Sequence, residues 1–135
     1  MSLIFDSSAV IPLAMDDEAS DYSAAAFDQL VVNGGLTTVL LWFEVRNALL
    51  VNERRGRITS DRVQEFLSDL DLLPLAYEPI PNSTDVLTLA RVNKLTIYDA
   101  VYLELVLRTG FPLATLDADL ARAVILAGGS LFKAS

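Results

Sequence analysis

The amino-acid sequence predicts a three-layer α/β/α fold with a central, mostly parallel sheet of four to five short strands. Short apolar runs alternate with helical segments along the whole chain, as at residues 3–5 and again at residues 111–116. This alternation is typical of a parallel sheet that is covered by helices on both faces. The chain has 135 residues, 53% of them hydrophobic, which is enough for one domain with a sizeable core. We therefore expect a single domain over residues 1–135.

The predicted elements follow one another with short connections and no linker, repeat or low-complexity segment. Strands are predicted at residues 3–5, 36–39, 75–80, 111–116 and, more briefly, 131–132. Helices are predicted at about 16–32, 40–55, 61–72, 83–92, 95–107 and 119–127, with a shorter helical piece after the first strand. Gly34, Gly56 and Gly110 follow helical segments, where glycine is the common C-terminal cap.

The helix predicted from Leu95 to Leu107 is the most apolar segment of the chain. Thr96, with Asp99 three residues later, matches a helix N-cap that has an acid at the third position. The residues that follow are apolar on almost every side, which is typical of a helix that is buried on all faces. We therefore expect a central, enclosed helix with Asp99 at its open end.

Composition excludes several classes of function. The chain has no histidine and no cysteine, so it lacks a histidine general base, a triad that needs one, and imidazole or thiolate zinc sites. The net charge of −8 argues against broad attraction to nucleic acid. No apolar run reaches the roughly 20 residues of a membrane helix, and the N-terminus lacks the basic region of a signal peptide, so we expect a cytoplasmic protein.

A local concentration of positive charge remains. Five arginines fall between residues 46 and 62. They are consistent either with a solvated helix end or with a patch that contacts phosphates. Arg46, Arg54 and Arg55 are therefore candidates for RNA contact.

Four carboxylates form the main functional signal. Asp6 and Asp117 follow predicted strands, and ligands of parallel sheets bind at the carboxyl ends of the strands. Glu44 is predicted on the apolar face of its helix, with alanine rather than a basic residue four positions later. Taken singly, Asp6, Asp99 and Asp117 are explained by helix capping. Taken together, the four acids predict a shared site.

Such a site would need a cation, because clustered carboxylates repel one another and become partly protonated. An all-oxygen ligand set selects hard ions such as Mg²⁺ or Mn²⁺. An ion of this kind polarises phosphate groups and activates water, which indicates phosphoryl chemistry. Ser7 and Thr115 flank the acids and are candidate hydrogen-bond partners, while Asp119 is either a fifth acid or a helix cap.

The order of Asp6 in IFDSSA, Glu44 in WFEVRNAL, Asp99 in LTIYDAVYLELV and Asp117 in ATLDADLARA resembles that of PIN domains. More narrowly, the whole chain is similar to the ribonuclease toxins of VapBC toxin–antitoxin pairs. The resemblance implies that the four acids bind one or two Mg²⁺ or Mn²⁺ ions and activate water to hydrolyse RNA. It also implies that Thr115 and Ser7 are the family's hydroxyl residues, that the protein is a homodimer, and that a cognate antitoxin inhibits it.

Two alternatives remain open from the sequence. The acids of a non-catalytic partner-binding module would serve only to bind an arginine-bearing antitoxin peptide. A phosphotransfer domain would instead form an aspartyl phosphate, but Ser8 breaks the Asp-x-Asp pattern of one such class, and Lys133 is the only candidate for the lysine of the other.

Overall fold

A four-stranded parallel sheet lies at the centre of the computed structural model, which describes residues 2–15 and 20–134. The strands are β1 (Leu3–Phe5), β2 (Gly35–Thr38), β3 (Leu75–Glu78) and β4 (Leu113–Ala114), in the spatial order β3-β2-β1-β4. All three strand pairs are parallel, which confirms the predicted fold class. A fifth strand at residues 131–132 is not formed in the described chain, because Leu131 makes only an isolated bridge to Leu113.

Seven α-helices occur in the described ranges, together with a 3₁₀ turn at Ile11–Leu13. They are α1 (Ser7–Val10), α2 (Asp21–Asn33), α3 (Val39–Arg54), α4 (Ser60–Asp71), α5 (Ser83–Asn93), α6 (Ile97–Thr109) and α7 (Ala118–Leu126). The prediction that a helix begins at residues 16–18 falls outside the described residues. Within them, α2 begins at Asp21, because the Ser20 side chain accepts a hydrogen bond from the Ser23 amide and caps the helix.

The alternation of side chains along β1 divides the core into two layers. Leu3 and Phe5 face a cluster formed with the 3₁₀ turn and helices α1 to α4. Ile4, between them, faces the opposite cluster, which is built mainly from α6 and α7. Successive residues of a strand point to opposite faces, so three apolar residues in a row are what a strand covered on both sides requires.

Helix α6 is less enclosed than its composition predicts. Ala100, Leu103 and Val106 are buried, but Tyr98 is 63% exposed and Leu107 is 38% exposed. The expectation of a helix buried on every side is therefore wrong in the first and last turns, where these two exposed residues lie. The physical reason is that α6 has the sheet and α7 on one side and α5 on another, which leaves part of its circumference uncovered.

Trp42 and Phe43 lie on the solvent-facing side of α3, where they are 45% and 59% exposed. Leu41, Val45 and Leu49 form the buried face of this helix.

The topology brings the ends of β1 and β4 together. Phe5 pairs with Ala114, so Asp6 and Thr115, the next residue of each chain segment, leave the sheet side by side.

No helix in the described part of the chain has the length and apolar character to cross a membrane.

Candidate active site

Asp6 lies at the centre of the site and is almost completely buried, with 4% of its surface exposed. Its Oδ1 accepts hydrogen bonds from the Ser8 hydroxyl at 2.6 Å and from the Ala9 amide at 3.3 Å, and so it caps α1. Its Oδ2 accepts a hydrogen bond from the Thr115 hydroxyl at 2.5 Å. Burial raises the pKa of Asp6 from 3.8 to about 6, and these hydrogen bonds only partly oppose the rise.

Thr115 links Asp6 to the second predicted acid. The Thr115 Oγ1 that donates to Asp6 also accepts a hydrogen bond from the Asp117 amide at 3.0 Å. Asp117 Oδ1 in turn accepts from the amides of Asp119 and Leu120, at 3.0 and 3.2 Å, and so caps α7. The capping interpretation of Asp6 and Asp117 is correct, and it is compatible with their convergence at one edge of the sheet.

Glu44 reaches the same region from α3 and is half-buried. The Tyr102 hydroxyl on α6 donates a hydrogen bond to Glu44 Oε1 at 2.6 Å. Burial is the largest cause that raises the pKa of Glu44, the Tyr102 hydrogen bond lowers it, and the negative charge of Asp99 raises it further. The Ser7 side chain also lowers the pKa of this carboxylate. The partner that the sequence could not supply for Glu44 is thus a tyrosine on another helix.

Asp99 stands at the N-terminus of α6, where the Thr96 hydroxyl accepts a hydrogen bond from its amide at 3.2 Å, as the sequence predicts. Partial burial raises the pKa of Asp99, and the charges of Asp117 and Asp119 raise it further. The Asp99 side chain therefore lies close to both acids of the β4–α7 connection.

The electrostatic interactions join the four predicted acids in one series. Asp117 raises the pKa of Asp6 and that of Asp99, and Asp99 raises the pKa of Glu44. Each acid therefore feels the negative charge of at least one other. Such repulsion disfavours the fully ionised cluster unless a cation is added.

None of the four acids is ion-paired in the part of the chain that the structure describes. Within residues 2–15 and 20–134, the ion pairs that are formed involve Glu65, Glu104 and Asp119, and none of the four acids. Carboxylate oxygens that are mutually repulsive and unpaired with Lys or Arg suit a hard divalent ion. The same residues contain no group of three or more acids arranged closely enough to hold a metal ion without side-chain movement.

The predicted RNA-contact arginines are not brought to this cluster. Arg46 projects about 200° around α3 from Glu44, since each helical residue turns about 100°. Its guanidinium lies 3.9 Å from the centre of the Trp42 ring and donates to the Trp42 carbonyl at 3.1 Å. Arg54 and Arg55 lie about 15 Å beyond Glu44 along the helix axis.

The second-tier candidates have different positions. Thr115 contacts Asp6 directly, whereas Ser7 interacts with Glu44 rather than with its neighbour Asp6. Asp119 lies near the cluster but is exposed, and it forms an ion pair with Arg122 at 3.1 Å.

Sequence reasoning missed Ser8 and Tyr102. Ser8 bonds to Asp6, lies 3.2 Å from Thr115 Oγ1, and accepts a hydrogen bond from the Leu116 amide at 2.8 Å, so it ties β4 to α1. Tyr102 gave one signal, because its hydroxyl lies among apolar residues of the helix, and such a group needs a partner when it is buried.

The comparisons with known proteins agree with this geometry. Residues 3–126 match the PIN domain family. Ribonuclease VapC3 from Pyrobaculum aerophilum is 32% identical over 126 residues, which cover 90% of this chain and 93% of that protein.

Two solved structures have a similar fold. PAE2754 from Pyrobaculum aerophilum has a TM-score of 0.71 at 23% identity, over 97% of this chain and 88% of that one. VapC20 from Mycobacterium tuberculosis, described as a toxin that cleaves the sarcin-ricin loop, has a TM-score of 0.64 at 12% identity, over 98% of this chain and 100% of that one.

The fold and the acidic site define a PIN-type nuclease architecture. The chain belongs to the PIN domain family.

Proposed function

We infer that this protein is an RNA-cleaving hydrolase that acts as the toxin of a toxin–antitoxin pair. Family membership and the similarity to Ribonuclease VapC3 support the class of reaction. The observation within this chain that supports it best is the series of mutually repulsive acids, Asp6, Asp117, Asp99 and Glu44, at the carboxyl edge of the sheet. The phosphotransfer alternative lacks comparable support, because Ser8 stands where one such class has its second acid, and here it donates a hydrogen bond to Asp6.

We propose that these four acids bind Mg²⁺ or Mn²⁺. Such an ion, when bound, polarises the phosphate and lowers the pKa of a water molecule. Asp6 would be held in a fixed orientation by Ser8 and Thr115. Glu44 would be oriented by Tyr102 and Asp117 by the amides of Asp119 and Leu120, while the partly exposed Asp99 would remain free to adjust.

The partner of the toxin would be a cognate antitoxin protein. Its expected binding surface includes the acids, for which an arginine of the antitoxin is the complementary group. We also propose a homodimer. The exposed apolar side chains of Trp42, Phe43 and Leu50 on α3 support an interface of this kind, and light scattering after size-exclusion chromatography would measure it.

The test combines calorimetry with RNA cleavage for the wild type, Asp6→Asn and Asp99→Asn. We expect wild type to bind Mn²⁺ and both variants to bind it more weakly. Cleavage by Asp99→Asn should fall by about 10²- to 10³-fold, because an ion at such a site contributes several kcal/mol of transition-state stabilisation. Asp99 is partly exposed and its backbone cap is unaffected, so circular dichroism should show an intact fold.

Asp85→Asn is a matched control, since Asp85 has the same position in the first turn of α5 and lies outside the cluster. Wild-type protein that neither binds Mn²⁺ nor cleaves RNA would favour the non-catalytic partner-binding alternative. Equal cleavage by wild type and Asp99→Asn would remove Asp99 from the site.

A further inference from the structure

A polar groove of about 390 Å³ opens beside Asp99. One wall is the α5–α6 connection, and the other is the exposed side of α7. Two cationic side chains line it, Lys94 from the first wall and Arg122 from the second. Two acids, Asp99 and Asp119, also line the groove, so it places two positive charges directly beside acidic groups in a chain whose net charge is −8.

We propose that this groove holds the RNA strand next to the scissile phosphate, and that Lys94 and Arg122 contact its backbone phosphates. The proposal rests on the ribonuclease function inferred above and assigns the substrate path of that site. Because Asp99 forms part of the groove, a strand held by these two side chains would pass directly to the acids.

Lys94 is displayed by an unusual backbone conformation. It has φ 55° and ψ 45°, which is the left-handed region, and it is the one non-glycine residue with positive φ in the described chain. A residue other than glycine, asparagine or aspartate is uncommon there and costs about 1–2 kcal/mol. Its amide and that of Leu95 both bond to the Ala90 carbonyl, so the connection is firmly held. Strained residues of this kind cluster at functional sites.

Arg122 is available for exchange with a phosphate. Its only ion pair in the described residues is with Asp119 at 3.1 Å, and the two side chains are 67% and 80% exposed. Exposed pairs contribute little to stability. A phosphate can therefore replace Asp119 as the partner of the guanidinium at small cost, and it offers two oxygens to the planar fork.

The experiment measures binding of a single-stranded RNA oligonucleotide in EDTA, by fluorescence anisotropy, over a range of salt concentrations. The variants are Lys94→Gly, Arg122→Gln and their combination. Glycine adopts the left-handed conformation of residue 94 without strain, so we expect this variant to keep its fold. For single strands the slope of log K against log salt is about −0.7 per phosphate contact. We expect the slope of the double variant to be less steep by about 1.4, because two phosphate contacts are lost.

Two further variants sharpen the result. Lys94→Arg should bind RNA as wild type does, because it restores the charge. Arg91→Gln is the matched control, since Arg91 is an exposed cation in the last turn of α5 that does not line the groove. In Mn²⁺ the double variant should raise KM for cleavage more than it lowers kcat.

An unchanged salt slope in the double variant would overturn the proposal. The proposal would also be overturned if a second double variant, Arg54→Gln with Arg55→Gln, showed the whole loss of slope, because the RNA strand would then follow α3. The same anisotropy experiment can be run with an oligoglutamate peptide. If the double variant loses binding of this peptide and keeps its binding of RNA, the groove is assigned to an acidic protein segment instead. Wild type that binds RNA through this groove without cleaving it would contradict the proposed function and leave the groove assignment standing.

Discussion

The two ends of the central sheet are built on opposite principles. At the amino end of β2, Gly35 is packed so closely that an added Cβ would lie 2.9 Å from both Leu30 Cδ1 and Phe5 Cε2. At the carboxyl end of β1, Asp6 buries a carboxylate beside other acids. The first end gains stability from close apolar contact, whereas the second carries a cost that a bound cation would relieve. The amino end of the sheet therefore contributes to stability, whereas the carboxyl end holds the acids of the proposed site.

The largest effect expected from this contrast is a pH dependence of stability in metal-free protein. The pKa of Asp6 rises from 3.8 to about 6 on folding, so the folded state holds a proton that the unfolded chain has already lost between these values. The contribution of Asp6 to the free energy of unfolding is therefore complete below pH 3.8 and is lost as the pH rises through 6. The loss is about 3 kcal/mol at 1.36 kcal/mol per pKa unit.

Urea denaturation between pH 4 and 7, in EDTA, measures this loss. Asp6→Asn should flatten the profile. Glu44 and Asp99, whose pKa values are also raised, should leave a smaller dependence in the same direction. An identical profile in wild type and Asp6→Asn would contradict the assignment to Asp6.

The opposite end of the sheet should respond to volume rather than to pH. Gly35→Ala places a methyl group against Leu30, Phe5 and the Leu3 carbonyl, and we expect it to lower the free energy of unfolding by about 2 kcal/mol. The loss should be the same at pH 4 and pH 7. Gly56→Ala is a poor control, because the φ of Gly56 is +73° and any side chain would be strained there. Ala76→Gly, on the exposed side of β3, is a better control. A loss confined to high pH would contradict the separation of the two ends.

A smaller effect is expected from Tyr102→Phe. This change removes the hydroxyl that donates to Glu44 and keeps the ring in the core. Partners of metal ligands typically contribute 10- to 100-fold to metal affinity or activity. We expect about tenfold weaker Mn²⁺ binding, because the half-buried Glu44 can accept a hydrogen bond from water instead.

Tyr98→Phe is the matched control for Tyr102→Phe, since Tyr98 lies on the exposed face of the same helix. Equal Mn²⁺ affinities in Tyr102→Phe and wild type would show that Glu44 needs no positioning by this tyrosine.

Much of the fold follows from local pattern. The strand–helix alternation, the glycine helix ends and the Thr96 cap all predict elements that the structure contains. The errors occur where local pattern is ambiguous. Leu131 and Phe132 have a strand-like composition, but only one of them reaches a bridge with β4. Composition also could not reveal which face of α6 lacks a neighbour, because that depends on where α5 and α7 pack.

The candidate site divides in the same way. The sequence predicts Asp6, Asp99, Asp117 and Thr115 from their positions at strand and helix ends, since parallel topology makes those ends converge. It predicts Glu44 from its place on the apolar face of its helix. The sequence does not predict the hydrogen bonds that Ser8 and Tyr102 donate to Asp6 and Glu44. These partners lie 2 and 58 residues away, in directions that only the folded chain defines. The arginines between residues 46 and 55 looked promising as a cluster in sequence, yet the turn and length of α3 carry them away from the acids.

The sequence by itself determined the class of fold, the absence of histidine and cysteine chemistry, and the acids that any active site would have to use. These properties depend on residue type and short-range period alone. The tertiary structure decided which hydroxyls orient those acids, how their charges repel one another, and that Lys94 and Arg122 meet across one groove. Such properties depend on distances of a few ångströms between residues far apart in the chain, because hydrogen bonds and charge interactions in a buried site act only at short range.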